Sequence, residues 1–185
     1  MHEKLIQRID ESIQAIGALR DHITDVCTVV EAITLILNGG GTLYTCGNGG
    51  SAAQALHLAE ELIGRYRNDR APHRAICLNA DPTALTCIAN DYGYENVFSR
   101  QCDALLTGGD ALLVLSTSGN SQNILNALKM ARKRNATTLG LLGNEGGACV
   151  DLCDHAIIVP VTDSAHIQEA HQVMVHLICE TLEES

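Results

Sequence analysis

The sequence predicts an α/β fold in which helices cover both faces of a parallel β-sheet. Five short apolar runs alternate with longer segments of helical periodicity. The runs are apolar throughout instead of alternating with polar residues, which is typical of strands buried on both faces. A chain of 185 residues is long enough to bury the core of one such domain.

The chain begins with an amphipathic helical pattern. Leu5, Ile9 and Ile13 recur every four residues and form one apolar face. The pattern continues through Val30, in a second helix or beyond a kink, and the three glycines at 39–41 end it. A leading helix with an apolar face needs a surface to cover it, and a neighbouring subunit can supply that surface in a one-domain protein.

The remaining elements follow in alternation. Strands are predicted at residues 42–46, 75–78, 111–116, 137–142 and 156–159. Helices are predicted at residues 51–65, 82–90, 94–105, 122–134 and 164–182. Ligands of open parallel sheets bind beyond the carboxyl ends of the strands. Functional residues are therefore expected in the segments that follow the strands.

Composition and charge exclude some classes of function. The formal net charge of −10 disfavours binding to nucleic acids or membrane surfaces, which are themselves anionic. No apolar run reaches the roughly 20 residues that span a bilayer, and the mixed-charge start of the chain does not resemble a secretory signal. Eight cysteines fit buried thiols in a reducing compartment. These observations predict a cytoplasmic protein.

A glycine-rich turn at residues 47–51 separates the first strand from the following helix. Glycines allow a tight turn and close approach to a ligand, and the helix start offers free N–H groups to an anion. His57 and Glu61 lie four residues apart and so share a face of that helix. The spacing is neither that of a dinucleotide-binding motif nor that of a P-loop. A simple turn beside a solvated His-Glu pair is the alternative interpretation.

A second loop is rich in hydroxyl groups. Ser116, Thr117, Ser118 and Ser121 supply four hydroxyls within six residues, between a predicted strand and a predicted helix. Hydroxyls and backbone N–H groups bind phosphate without adding charge. An ordinary helix start needs a single capping residue. The density of donors therefore predicts a phosphate site.

Two further groups of polar residues are ambiguous from the residues alone. Gln168, Gln172 and His176 form a stripe at four-residue spacing on the last predicted helix. A lone histidine on an apolar helix is more often a core residue with a hydrogen-bond partner than a ligand. Asn90 and Asp91 lie between two predicted helices, where such a pair commonly marks a turn.

Four stretches together resemble the sugar isomerase (SIS) domain family and, within it, the phosphoheptose isomerases. They are CGNGGSAAQALHLAEELIGRY, LNADPTALTCIANDYGYENVF, LSTSGNSQNILNAL and HIQEAHQVMVHLICETLE. The resemblance covers nearly the whole chain. It implies a single SIS domain over residues 1–185, a doubly wound, flavodoxin-like αβα sandwich of three layers with a five-stranded parallel sheet. It also implies a homotetramer that uses residues 1–38 in oligomerisation and has active sites at subunit interfaces.

The resemblance further implies an activity. Such enzymes convert D-sedoheptulose 7-phosphate to D-glycero-D-manno-heptose 7-phosphate through an enediol(ate), the first step toward nucleotide-activated heptose for lipopolysaccharide core or other surface polysaccharide. The chemistry needs a base and an acid near neighbouring carbons, and Glu61 and His176 match the residues assigned to proton transfer. The alternatives are a non-catalytic SIS protein that binds the replication initiator, and another phosphosugar aldose–ketose isomerase.

Site residues are implied by the same resemblance. The phosphate is held by Ser116, Thr117, Ser118 and Ser121. The remainder of the substrate contacts Asn48, Gly49, Gly50, Ser51, Glu61, Asn90, Asp91 and Gln168. One Zn²⁺ per subunit is bound by His57, Glu61, Gln168 and His176. Parts of the family carry an acidic residue where this chain has Ala165.

Overall fold

The computed structural model describes residues 1–184 and contains the predicted five-stranded parallel sheet. Its strands are Leu43–Gly47 (β1), Ala75–Cys77 (β2), Ala111–Ser116 (β3), Thr137–Gly143 (β4) and His155–Val159 (β5). They lie in the order β2-β1-β3-β4-β5, and each neighbouring pair is parallel. The predicted strand positions are confirmed to within one residue at each end.

Seven α-helices surround this sheet in the described part of the chain. They are His2–Gly17 (α1), Ile23–Asn38 (α2), Gly50–Ile63 (α3), Pro82–Tyr92 (α4), Ser99–Leu105 (α5), Gln122–Lys133 (α6) and Ser164–Glu184 (α7). A short 3₁₀ turn at Ala18–Arg20 breaks the leading helical pattern into α1 and α2. Of the two predicted possibilities, a second helix or a kinked continuation, the structure has the second helix.

The single helix predicted over 94–105 is wrong. The structure has a 3₁₀ turn at Tyr94–Asn96, and α5 begins only at Ser99. Gly93 adopts a φ of 85°, which ends α4, and the Asn96 amide donates to the Tyr92 carbonyl at 2.7 Å. This bond closes a tight turn where the sequence pattern alone indicates a continuous helix.

Side chains of the central strand explain the uninterrupted apolar runs. Leu113 and Leu115 of β3 enter the core beneath α2, α3 and α7, whereas Leu112 and Val114 enter the core beneath α5 and α6. Successive strand residues face opposite sides of a sheet, so both sets must be apolar when both faces are covered. All residues of β3 are buried. The predicted three-layer αβα sandwich is confirmed.

The leading helix docks on the last helix through polar contacts. Arg8 forms an ion pair with Asp163 at 3.0 Å. The His166 ring lies 3.0 Å from the Ser12 hydroxyl and 3.2 Å from a Glu11 carboxylate oxygen. Hydrogen bonding to the carboxylate of Glu169 raises the pKa of His166. These contacts orient α1 so that its apolar face points away from the domain.

The exposed apolar face of α1 runs along its outer side. Its members are more than half exposed: Leu5, Ile6, Ile9 and Ile13. None of the helices in residues 1–184 combines the length and apolarity needed to cross a membrane. The row is thus a surface feature of a short amphipathic helix.

Acid sensitivity of folding should depend on His171, which is fully buried in α7. Its Nε2 contacts the Leu142 carbonyl at 3.2 Å, and burial lowers its pKa from 6.5 to about 4. Between these values the unfolded chain binds a proton that the folded protein does not. Stability present above pH 6.5 is therefore lost as the pH falls toward 4, by up to about 3 kcal/mol.

His171→Gln keeps a donor for the Leu142 carbonyl but cannot titrate. We expect a smaller loss of unfolding free energy between pH 7 and pH 4.5 than in the parent protein, measured by urea denaturation at both pH values. Because each protein is compared with itself at the two pH values, any pH-independent effect of the substitution on the free energy of unfolding cancels. An equal loss in the two proteins would contradict this role of His171.

Candidate active site

Two candidate ligand loops start side by side because β1 and β3 are adjacent. The register pairs Gly47 with Leu115, one residue before the hydroxyl-rich loop begins. The glycine turn at 47–51 and the hydroxyl loop at 116–121 therefore leave the same edge of the sheet. This position, beyond the carboxyl ends of central strands, is where ligands of such folds bind.

The glycine turn is too tight for larger residues. A Cβ on Gly47 would lie 2.7 Å from the backbone of Ser51, and one on Gly50 would lie 2.6 Å from the Gln168 side chain. Gly49 has a φ of 55°, which favours glycine. Asn79 also fixes the turn, since its amide accepts from the Gly47 N–H at 3.2 Å and donates to the Gly47 carbonyl at 3.0 Å.

A reciprocal pair of amides joins the turn to α6. Asn48 donates to Asn123 at 2.9 Å, and Asn123 donates back at 2.8 Å. The Tyr94 hydroxyl also donates to the side-chain amide oxygen of Asn48 at 3.0 Å. Asn123 is buried but is not among the site residues predicted from the sequence. The sequence feature that could have identified it is a polar residue beside Ile124 on the apolar face of a predicted helix.

The hydroxyl loop uses several side-chain oxygens as acceptors. Ser116 Oγ accepts from the Gly119 N–H at 3.1 Å, and Ser118 Oγ accepts from the Asn120 N–H at 3.2 Å. A hydroxyl that accepts in this way still has a proton to donate. Ser121 occupies the N-cap position of α6 and makes no side-chain capping bond. The loop thus presents hydroxyl donors at a helix start.

A cavity of about 650 Å³ adjoins the hydroxyl loop. It is lined by Ser118, Asn120, Asn144, Glu145, Gly147, Pro160, Val161 and Thr162. The cavity opens on the β4–β5 side of the loop, and His57, Glu61 and His176 do not line it. It provides space next to Ser118 of the hydroxyl loop.

The structure brings His57, Glu61 and His176 together where α3 packs on α7. His57 Nε2 lies 3.1 Å from Glu61 Oε1. The amide nitrogen of Gln172 lies 2.9 Å from His57 Nδ1 and 3.1 Å from His176 Nε2. The rings of the two histidines meet edge to face at 5.5 Å, and the Tyr66 ring lies 5.7 Å from that of His176. Sequence reasoning placed Gln172 in the stripe without giving it a role.

Gln168 lies one helical turn earlier. Its side chain covers Gly50, and its backbone carbonyl accepts from the Gln54 amide at 2.6 Å. The hydrogen bonds of the described residues do not join its amide to the imidazoles. Asn90 and Asp91 are exposed at the end of α4, where the Asn90 amide donates to Asp91 at 2.7 Å.

The cluster has the chemistry of a metal site. Ligand atoms of His57, Glu60 and Glu61 lie within 4.8 Å of one another. Imidazole nitrogens and carboxylate oxygens are the ligands that divalent metals such as zinc take in catalytic sites. Glu60 is exposed, whereas Glu61 is half-buried beside His57. The donor set fits a divalent cation.

The end of α3 is held by a clamp of charged residues. Arg70 donates to the carbonyls of Glu61 at 2.8 Å and Leu62 at 3.0 Å. The Glu183 carboxylate accepts from three successive backbone N–H groups at residues 66–68, at 2.7 to 3.2 Å. Arg67 lies over the Tyr66 ring and pairs with Glu180. These arginines thus bind the chain itself and fix the helix turn that carries Glu61.

Residues 6–143 match the family model of the SIS domain. The chain belongs to the SIS domain family. It is 44% identical over 185 residues to a phosphoheptose isomerase of Nitratiruptor sp., covering 100% of this chain and 94% of that protein. It is 45% identical over 183 residues to phosphoheptose isomerase 1 of Campylobacter jejuni, covering 99% of this chain and 97% of that protein.

A solved structure agrees with these relatives. The phosphoheptose isomerase of Neisseria gonorrhoeae superposes on this SIS domain with a TM-score of 0.93 at 36% identity, covering 100% of this chain and 99% of that chain. The resemblance carried by the four sequence stretches is therefore confirmed. Within the SIS family, the chain groups with the phosphoheptose isomerases.

Asn123→Ala should destabilise the junction between the two loops, because it removes both amide bonds to Asn48. We expect a loss of about 1–3 kcal/mol in the free energy of unfolding, the usual range when a buried partner is left unpaired. Asn126→Ala is the matched control on α6, since the hydrogen bonds of its amide, from Gln122 at 2.8 Å and to the Glu95 carbonyl at 3.0 Å, lie near the surface. Equal losses in urea denaturation of the two variants would contradict this role.

Proposed function

We propose that this SIS-domain protein is a phosphoheptose isomerase that converts D-sedoheptulose 7-phosphate to D-glycero-D-manno-heptose 7-phosphate. The observation that carries the proposal is the meeting of Glu61 with His57 and, through Gln172, with His176, where the helix that starts in the glycine turn packs on α7. A carboxylate and an imidazole are the groups that an aldose–ketose interconversion requires. The named activity of the relatives supports the same conclusion.

Proton transfer is assigned to Glu61 and His176. The reaction moves a proton between neighbouring carbons through an enediol(ate). Glu61 acts as general base on one carbon, and His176 is its proton-transfer partner on the opposite side of the substrate. Their positions on two different helices support this division of roles, since each can approach the substrate from its own side.

Phosphate binding is assigned to Ser116, Thr117, Ser118 and Ser121. Their hydroxyls and the start of α6 supply hydrogen-bond donors and a partial positive charge, which suit a phosphate dianion in an acidic protein. The remaining substrate contacts are assigned to Asn48, Gly49, Gly50, Ser51, Asn90, Asp91 and Gln168. The narrow glycine turn supports the first four, because it allows close approach of the sugar.

Zn²⁺, one ion per subunit, is the proposed cofactor, with His57, Glu61, Gln168 and His176 as its ligands. A bound zinc ion supplies Lewis-acid polarisation of the substrate carbonyl. The imidazole of His57 and the neighbouring carboxylates of Glu60 and Glu61 support a metal of this kind. Elemental analysis of the purified protein identifies the ion, and a protein that binds no divalent metal would contradict the assignment.

The exposed apolar face of α1 supports a homotetramer with active sites at subunit interfaces. We assign residues 1–38 to this assembly and the whole of residues 1–185 to one SIS domain. Sedimentation equilibrium measures the mass directly, and a monomer would refute the assembly. The eight free thiols support a cytoplasmic enzyme, acting in heptose synthesis for lipopolysaccharide or another surface polysaccharide.

Glu61→Gln and His176→Gln test the chemistry. Each substitution keeps the approximate size but removes a proton-transfer group, so we expect turnover to fall by at least about 100-fold. The measurement is aldose formation from sedoheptulose 7-phosphate, with circular dichroism and sedimentation as controls for folding and assembly. Retained turnover in either variant would contradict its assignment. A parent protein without turnover would favour the non-catalytic, initiator-binding alternative.

A further inference from the structure

Gln172 occupies a position to which no role is assigned in the proposed reaction. Its amide nitrogen is within hydrogen-bond distance of both histidines, 2.9 Å from His57 Nδ1 and 3.1 Å from His176 Nε2. The residue lies on α7, one turn before His176 and one turn after Gln168. One side-chain nitrogen therefore links imidazoles from two different helices.

The chemistry of the amide fixes the direction of these bonds. An amide nitrogen carries two protons and does not accept. Each proton must meet an unprotonated ring nitrogen, which places the lone pairs of His57 Nδ1 and His176 Nε2 toward Gln172. The proton of a neutral His57 ring is then on Nε2, which lies 3.1 Å from Glu61 Oε1 and donates to it.

The opposite orientation of the amide fails at Glu61. A carbonyl oxygen of Gln172 in the same place would require protons on His57 Nδ1 and His176 Nε2. A neutral His57 would then turn the lone pair of Nε2 toward the Glu61 carboxylate, and two acceptors would face each other. With neutral rings, all these groups are satisfied only when the amide nitrogen of Gln172 faces the histidines.

We propose that Gln172 is a positioning residue that fixes the tautomers of His57 and His176 and that a cation must displace in order to bind both rings. This inference rests on the proposed function for its catalytic meaning, because His176 is the assigned proton-transfer group. The chain of donation runs from Gln172 to His57 and from His57 to Glu61. Gln172 thereby determines which proton the Glu61 carboxylate receives.

Displacement follows from the direction of the lone pairs. A cation that bridges the rings through His57 Nδ1 and His176 Nε2 takes the two ring nitrogens that point at the Gln172 amide, whereas His57 Nε2 faces Glu61. A cation that takes both must replace two hydrogen bonds, each of modest net strength. Gln172 therefore weakens metal binding while it keeps the two imidazoles oriented toward each other.

Gln172→Met tests the tautomers, since methionine has a similar shape but no amide protons. Long-range ¹H–¹⁵N NMR of metal-stripped protein at about pH 8, where ordinary imidazoles are neutral, reports the protonated nitrogen of each ring. We expect Nε2–H for His57 and Nδ1–H for His176 in the parent, and mixed tautomers in the variant. Gln122→Met is the matched control, because that exposed amide contacts Asn126 on α6 and should leave both tautomers unchanged.

Calorimetric titration of the same stripped proteins with Zn²⁺ tests displacement. We expect Gln172→Met to bind Zn²⁺ roughly tenfold more tightly than the parent, the order of effect given by two hydrogen bonds of modest net strength. Unchanged or weaker binding would overturn the displacement, and parent-like tautomers in the variant would overturn the positioning role. Neither measurement uses the substrate, so an absence of isomerase turnover would refute the proposed function without affecting these results.

Discussion

The parallel pairing of β1 with β3 is the constraint on which the candidate site depends. Five consecutive residue pairs, from Leu43–Ala111 to Gly47–Leu115, set the register of these strands. Because the glycine turn and the hydroxyl loop both start at the last of these pairs, their separation is fixed by the spacing between strands. A shift by one residue would also exchange Leu113 and Leu115 between the two cores, so burial protects the register. The geometry of the ligand loops is thus stabilised by the same apolar side chains that stabilise the sheet.

Packing of α3 on α7 brings together the side chains of His57, Glu61 and His176 next to the sheet. Helix α3 starts in the glycine turn, where Gly50 lets the Gln168 side chain of α7 approach the α3 backbone closely. That contact fixes the spacing of the helices two turns before His57 on α3 and one turn before Gln172 on α7. Farther along, Arg70 and Glu183 hold the chain that leaves α3 against the end of α7. The imidazole–carboxylate cluster therefore lies between two fixed points, and its distances follow from helix packing.

Much of this arrangement is readable from the sequence, because it depends on local patterns. The strand at Ala111–Ser116 and the start of α6 at Gln122 coincide with their predictions, since an apolar run and a serine-rich loop mark them. The contacts that tie the site together are not local. Asn48 and Asn123 are 75 residues apart and His57 and Gln172 are 115 apart, so only the fold reveals their pairing. The failed helix over 94–105 has a local origin instead, because Gly93, with a φ of 85°, and the side-chain bond from Asn96 to the Tyr92 carbonyl override a helical pattern.

The acidic character of the chain bears on how it can hold an anionic substrate. Arg67 and Arg70 are engaged by Glu180, Tyr66 and backbone carbonyls. In the proposed phosphate site, hydroxyl groups and the start of α6 carry the recognition, through short-range hydrogen bonds and a partial charge. Such a site acts over a few ångströms, whereas the field of a protein with a formal net charge of −10 repels anions at longer range. In the proposed site, specificity for phosphate therefore rests on the donor geometry of the loop, in which Gly119 adopts a φ of 61°.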